Sequence, residues 1–169
     1  MNELRLLQPN QISQAAYKCD STERKILFFA ALCVQRQKYN FCNIEMNGYI
    51  AEFSISEMLS TLGMSNNQGN KKQIRDALEK ITKCNIKIID EPTHLFAITW
   101  LQIAEYDEEK NIARLCFTEP IGRLFLECHN QFSLISPRVI GSLKSFYSMR
   151  YYELALSYHG YAGTQGNKP

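Results

Sequence analysis

The sequence is short of the residues that build metal centres and of the motifs that build active sites. Its three histidines (His94, His129, His159) are scattered, and its six cysteines (Cys19, Cys33, Cys42, Cys84, Cys116, Cys128) show no CxxC or CxH spacing. Zinc needs clustered ligands, so no metal is expected, and the thiols read as reduced and mostly buried in a cytosolic protein. The chain lacks a Gly-rich phosphate loop, GxSxG, HExxH and any acid cluster suited to metal-dependent nucleotide chemistry. No catalytic residue and no cofactor are therefore expected. Cys128 and His129 adjoin in sequence, but adjacency does not supply the geometry of a thiolate–imidazole pair. No apolar run reaches the roughly 18 residues of a membrane span. The opening MNELRLLQPNQ also lacks the basic-then-apolar layout of a signal peptide. Net charge is small, 19 basic against 17 acidic residues, or +2.

What is present is enough apolar material for one packed domain. Hydrophobic residues make up 45% of the 169, including nine Phe and nine Tyr, so disorder is not the default. Asp20 followed by Glu23 predicts a reciprocal helix cap, and Ile26, Phe29, Ala30, Cys33 and Val34 continue it as a helix near 21–37. NIEMNGYIAEFS reads as a broken extended stretch with Asn-Gly as a turn. Ser54 and Glu57 predict a capped short helix, ISEMLSTL, ended by Gly63. After the polar loop MSNNQGN, a helix over about 71–83 is expected to bury Ile74, Ala77, Leu78 and Ile81.

Behind it lie NIKIID, a turn at EPTH, the longer strand candidate LFAITWLQIAEY, a turn at DEEKN and IARLCF. Short helix, polar loop, second helix and β-meander is the order of a winged helix-turn-helix. The expected fold is therefore α+β, with a small antiparallel sheet and flanking helices at 119–128 and 138–158. The residues Ile86, Ile88, Ile89, Phe96, Ile98, Trp100 and Ile103 fit a sheet packed on helices. Trp100 reads as core, since base stacking would need it exposed. The later helix places Leu143, Phe146, Tyr147, Arg150, Tyr151, Leu154 and Tyr158 on one broad face, read as core rather than as a ligand platform. A buried Arg150 would need carboxylates or carbonyls for its five donors, with Glu153 and Glu127 as candidates. The tail GYAGTQGNKP reads as linker or fraying terminus.

Charge is uneven within this frame. Residues 66–87 carry six Lys/Arg and two acids, a net +4 that leaves −2 for everything else. Lys80 and Lys83 fall where a last helical turn favours cations, and Glu79 to Lys83 is a favourable i,i+4 spacing. Lys71, Lys72 and Arg75 are expected in the first turns, where positive charge opposes the helix dipole unless an anion compensates. A phosphate would do so, aided by Asn67, Gln68 and Asn70 just ahead. The competing explanation is a solvated outer face. The acidic turn at Asp107, Glu108 and Glu109 is expected to be held away from phosphates or to face a protein partner.

Three blocks carry a resemblance: NQISQAAYKCDSTERKILFFAAL, FSISEMLSTLG and LKSFYSMRYYEL. In order and spacing they resemble the initiator Rep family of plasmid replication proteins. The resemblance implies the first winged-helix domain, over residues 1–158, of a protein that normally has two. Residues 159–169 would be a flexible tail or the start of an interdomain linker, with no second winged helix after Tyr158. It further implies monomers that bind repeated origin sites (iterons) on double-stranded DNA, and dimers that form through the first domain. Most base reading would belong to the second domain. The DNA-facing helix maps onto Lys71, Lys72 and Arg75, with the loop Asn67 to Asn70 before it, and the Tyr-Ser-x-Arg pattern onto Tyr147, Ser148 and Arg150. Implied partners are plasmid origin repeats, a second copy and host replication factors, in the cytoplasm and without a membrane. A winged-helix transcription regulator and a protein-interaction module without DNA contact remain the alternative readings.

Overall fold

A computed structural model describes residues 4–37, 49–91, 94–128 and 131–162. The elements run β1 (Leu6–Pro9), α1 (Asn10–Gln14), β2 (Ala16–Tyr17), α2 (Ser21–Gln37), β3 (Ile50–Ser54), α3 (Ile55–Thr61) and α4 (Gln68–Leu78). A 3-10 turn (Ile81–Lys83) leads to β4 (Asn85–Glu91), β5 (His94–Thr99), β6 (Leu101–Asp107) and β7 (Ile112–Phe117). The chain then forms α5 (Glu119–Leu126), β8 (Phe132–Ile135), α6 (Pro137–Ser142) and α7 (Phe146–Ala162).

Both predicted caps form where the side chains dictate. Asp20 Oδ1 accepts from the N–H groups of Thr22 and Glu23, and Glu23 Oε2 accepts from Asp20 N–H at 2.7 Å. Helix α2 thus opens with both ends of its capping box closed. Ser54 Oγ accepts from Glu57 N–H at 3.0 Å and starts α3. Gly63 follows the end of α3 at φ +66°, a left-handed conformation that a side chain would strain.

Helix α2 is the axis of the molecule. Ile26, Phe29, Ala30, Cys33 and Val34 are buried as expected, but so are Leu27, Phe28 and Ala31 on its other side. Its run 26–34 is apolar all round and so is buried all round, and β1, β3, α4 and α5 all pack on the helix. Strands β3, β7 and β6 form an antiparallel sheet in that order, pairing Ile50 with Cys116 and Glu105 with Arg114. The segment β3–α3–α4–β6–β7 is a winged helix-turn-helix with the β4–β5 hairpin inserted after its second helix. That hairpin makes a separate sheet with β2, and β1 pairs with β8.

Several expectations need correction. The stretch LFAITWLQIAEY is not one strand: it breaks at Trp100, whose N–H donates to Cys84 O (3.1 Å) while its carbonyl accepts from Thr118 N–H (3.0 Å). These two bonds turn the chain from one sheet into the other. Trp100 itself is fully buried, as expected. The helix expected over 138–158 is two helices, because Leu143 is extended and Ser145 Oγ accepts Ser148 N–H at 3.0 Å to start α7 afresh. Helix α7 also continues to Ala162, into the stretch read as tail. Within the predicted sheet set Ile86 and Ile88 are buried, but Ile103 is about half exposed. Strands β1, β2 and β8 were not anticipated. The Asn47-Gly48 turn, Cys42, His129 and the tip of the EPTH turn lie outside the described residues.

The face expected for α7 holds only in part: Phe146, Arg150 and Leu154 are half-buried, with Phe146 packed on Tyr17. Tyr147, Tyr151 and Tyr158 are 79%, 80% and 59% exposed, so they are not core. The inward face carries Met149, Glu153 and Ser157 instead, because the core offers that helix polar partners. Glu153 Oε1 accepts from Arg24 Nε at 2.8 Å, and its Oε2 accepts from Tyr17 OH (2.7 Å) and Arg150 Nη1 (2.8 Å). Arg150 Nη2 adds bonds to the carbonyls of Ser13 (2.9 Å) and Ala15 (2.8 Å). Of the two candidate carboxylates, Glu153 is therefore the partner of Arg150. Burial pushes the Glu153 carboxyl up, but Arg24, the Tyr17 hydroxyl and Arg150 together hold it below its ordinary value. The cluster fixes α7 against α2 and β2.

Candidate nucleic-acid interface

The second helix of the helix-turn-helix begins earlier than its apolar periodicity indicates. Asn67 is the N-cap, and its side-chain oxygen accepts from Asn70 N–H at 2.8 Å. Helix α4 therefore starts at Gln68 rather than 71, and it stops at Leu78 rather than 83. Past Glu79 the chain tightens into the 3-10 turn, which buries Ile81. Ile74, Ala77 and Leu78 are buried as expected.

This register alters the electrostatic argument. Lys71 and Lys72 are the fourth and fifth helical residues of α4, and Arg75 falls in its last turn. The dipole acts mainly within the terminal turns, so the two lysines meet little opposition and Arg75 is favoured. Opposition to the dipole is thus not what marks these residues. Lys80 and Lys83 are not in the last turn of α4, and Glu79 to Lys83 is not spaced on one continuous α-helix.

The six predicted DNA-binding residues separate by what their side chains do. Asn67 caps α4 and donates to Ser65 Oγ at 2.8 Å, while Asn70 Nδ2 donates to Ser65 O at 2.7 Å. Both amides shape the turn. Arg75 Nη1 pairs with Glu108 Oε1 at 3.0 Å. Gln68 and Lys72 are exposed and Lys71 half-buried, and no side-chain bond or ion pair engages them among the described residues. The structure thus brings Gln68, Lys71 and Lys72 to one unpaired polar end of α4, with Asn67 and Asn70 holding it.

The wing turn reaches the last turn of α4 through Arg75 and joins the loop before α4 through Ser56. Asp107 Oδ1 accepts from Lys110 N–H at 3.0 Å, and Asn111 takes φ +56°, a conformation asparagine tolerates. The Lys110 backbone bond is the largest of the contacts that hold the Asp107 carboxyl below its ordinary value. Ser56 Oγ accepts from both Asn66 Nδ2 and Asn111 Nδ2 at 3.3 Å, linking α3 to the loop and to the wing. The acidic turn was legible in the sequence, but its pairing with Arg75 was not. No local spacing predicts a contact between residues 33 apart. Among the described residues, no group of three or more His, Cys, Asp or Glu could hold a metal ion. None of the described helices is long and apolar enough to cross a membrane.

The family model described as initiator replication protein, WH1, matches residues 5–156. The chain belongs to that family. No curated protein matches it by sequence. Among solved structures, the Pi initiator protein in complex with iteron DNA aligns with a TM-score of 0.62 at 12% identity, covering 94% of this chain and 66% of that one. Domains 2 and 3 of RctB align with a TM-score of 0.51 at 13% identity, covering 80% of this chain and 54% of that one. At such identities the likeness concerns the fold alone. The WH1 chain spans about two thirds and about half of those two lengths.

Proposed function

We propose that this initiator WH1 domain binds double-stranded plasmid origin DNA through the start of α4 and self-associates through its sheet, so that replication begins there. The observation carrying this reading is the unpaired group Gln68, Lys71 and Lys72 on the second helix of a helix-turn-helix. A helix in that position can enter a groove, with lysines neutralising phosphates and amides reaching phosphates or base edges. Asn67 and Asn70 would act by holding the loop, and Arg75 would join once a phosphate displaces Glu108. A few phosphate contacts give weak binding that falls steeply with salt, consistent with a domain that depends on a second winged helix for most base reading. The iteron DNA in the Pi initiator complex supports direct repeats as the target class.

On this reading residues 1–158 form the DNA-binding and dimerisation domain, residues 159–169 lead toward that second domain, and the protein works in the cytoplasm with host replication factors and no chemistry of its own. The Arg75–Glu108 pair favours one competitor, an interaction module whose basic helix is partly neutralised from within. A mobility-shift titration on directly repeated DNA, palindromic DNA and unrelated duplex, at two salt concentrations, separates the readings. Preferential, salt-sensitive retention of direct repeats is expected. Preference for the palindrome would favour a transcription regulator, and no retention even at low salt would favour the interaction module.

A further inference from the structure

We infer that Cys19 and Cys84 are a redox-active pair that closes into an intramolecular disulfide when a hydroperoxide oxidises it. The register of β2 and β4 carries the argument. Ala16 faces Lys87 and Tyr17 faces Ile86, and Cys19 and Cys84 each lie two residues beyond that last pair, at the same end of it. The two chains are therefore one ladder spacing apart at Tyr17 and Ile86, where facing Cα atoms are roughly 4.5–5.5 Å apart, a separation within the ~4.4–6.8 Å that a disulfide spans. The two thiols are free and within hydrogen-bonding reach of each other. Cys19 is half-buried at the residue before the α2 cap, open to a small oxidant, whereas Cys84 is buried.

The surroundings divide the labour. Cys84 Sγ donates to Glu23 Oε2 at 3.4 Å. Hydrogen bonding to Cys19, then burial, then the Glu23 charge keep the Cys84 thiol protonated. Cys19, half-buried where Cys84 is buried, is the thiol a peroxide reaches first. Its sulfur attacks one peroxide oxygen; the S–O bond forms, the O–O bond breaks, and the leaving oxygen takes the Cys19 thiol's own proton to become an alcohol or water. Cys84 then attacks the Cys19 sulfur as its own proton passes to Glu23. The S–S bond forms, the S–O bond breaks, and the departing hydroxide recovers that proton as water. Two thiols and one hydroperoxide thus give one disulfide, one alcohol and one water, with two electrons passing from sulfur to peroxide. The bond would tie the entry of α2 to the residue directly after the 3-10 turn behind α4, and this chemistry does not depend on the DNA reading.

The test is hydrogen peroxide treatment of the full chain after reductant is removed, followed by non-reducing peptide mapping. The expected result is a monomer lighter by two hydrogen atoms, a Cys19–Cys84 cross-linked peptide, reversal by dithiothreitol, and a thermal midpoint raised by ~5 °C or more. Cys19→Ser, at the more exposed partner, should remove the cross-link and the mass loss while leaving the reduced fold intact. Oxygen addition at Cys19 without a cross-link, a bond from Cys19 to any other cysteine, or the same mass loss in C19S would overturn the assignment.

Discussion

Arg75 Nη1 lies 3.0 Å from Glu108 Oε1, so the turn between β6 and β7 closes an ion pair onto helix α4. The side chains are 43% and 73% exposed, which keeps the pair's contribution to stability within about 1 kcal/mol. Its effect is on available charge. Glu108→Gln is expected to leave the thermal midpoint almost unchanged and to raise DNA affinity several-fold at low salt, with the gain fading as salt increases. Fluorescence anisotropy across a salt series reads this directly. Identical affinities at every salt would remove Arg75 from the interface.

Glu153 is the anion on which two arginines depend. Glu153→Ala leaves Arg24 buried without its carboxylate and should cost about 3–5 kcal/mol, measured by urea unfolding. The same group predicts a pH dependence. Its folded pKa is depressed below the ordinary 4.5, so its contribution is fully present above that value. The contribution is lost as pH falls through the lower folded value. Glu153→Gln should flatten that acid limb of the stability curve. An unchanged acid limb in the variant would place the dependence on other carboxyls.

Gly141, in α6, sits where a side chain cannot. A Cβ built there would approach Leu62 O to 1.8 Å, against the backbone that ends α3. Gly141→Ala should therefore destabilise by roughly 1–3 kcal/mol or displace α3, and calorimetry checks it. A wild-type midpoint would mean that the two helices separate at little cost.

Exposed and buried apolar residues should behave in opposite ways. Leu78→Asp puts an unpaired charge into the core beneath α4 and is expected to unfold the domain. Tyr147→Ser and Tyr151→Ser should each change stability by only about 0.5 kcal/mol or less, because both rings face solvent. Circular dichroism melts distinguish the two cases; a large loss at either tyrosine would contradict the placement of α7.

The order of these elements was legible in the sequence because each signal was local. Asp20–Glu23 and Ser54–Glu57 close caps within one turn, and Gly63 ends α3 by its own backbone freedom. What was not legible depended on distant partners. Tyr147 and Tyr151 looked like core by their helical spacing, yet α7 turns Glu153 inward because Arg24 and Tyr17 wait there from other elements. Trp100 breaks a strand through bonds to Cys84 and Thr118 that no run of β-formers reveals. The candidate site divides likewise. The basic helix and polar loop were readable as composition, whereas the cap at Asn67 set a register that moved Arg75 to the far turn.

The most direct test of DNA contact through α4 reverses its two unpaired lysines. Lys71→Glu with Lys72→Glu, confirmed folded by its melt, is titrated onto directly repeated origin DNA beside the wild-type chain across a salt series. The account predicts loss of retention at low salt and a shallower salt dependence for whatever binding remains, by about two phosphate contacts. Wild-type affinity and an unchanged salt slope in the folded double variant would contradict it.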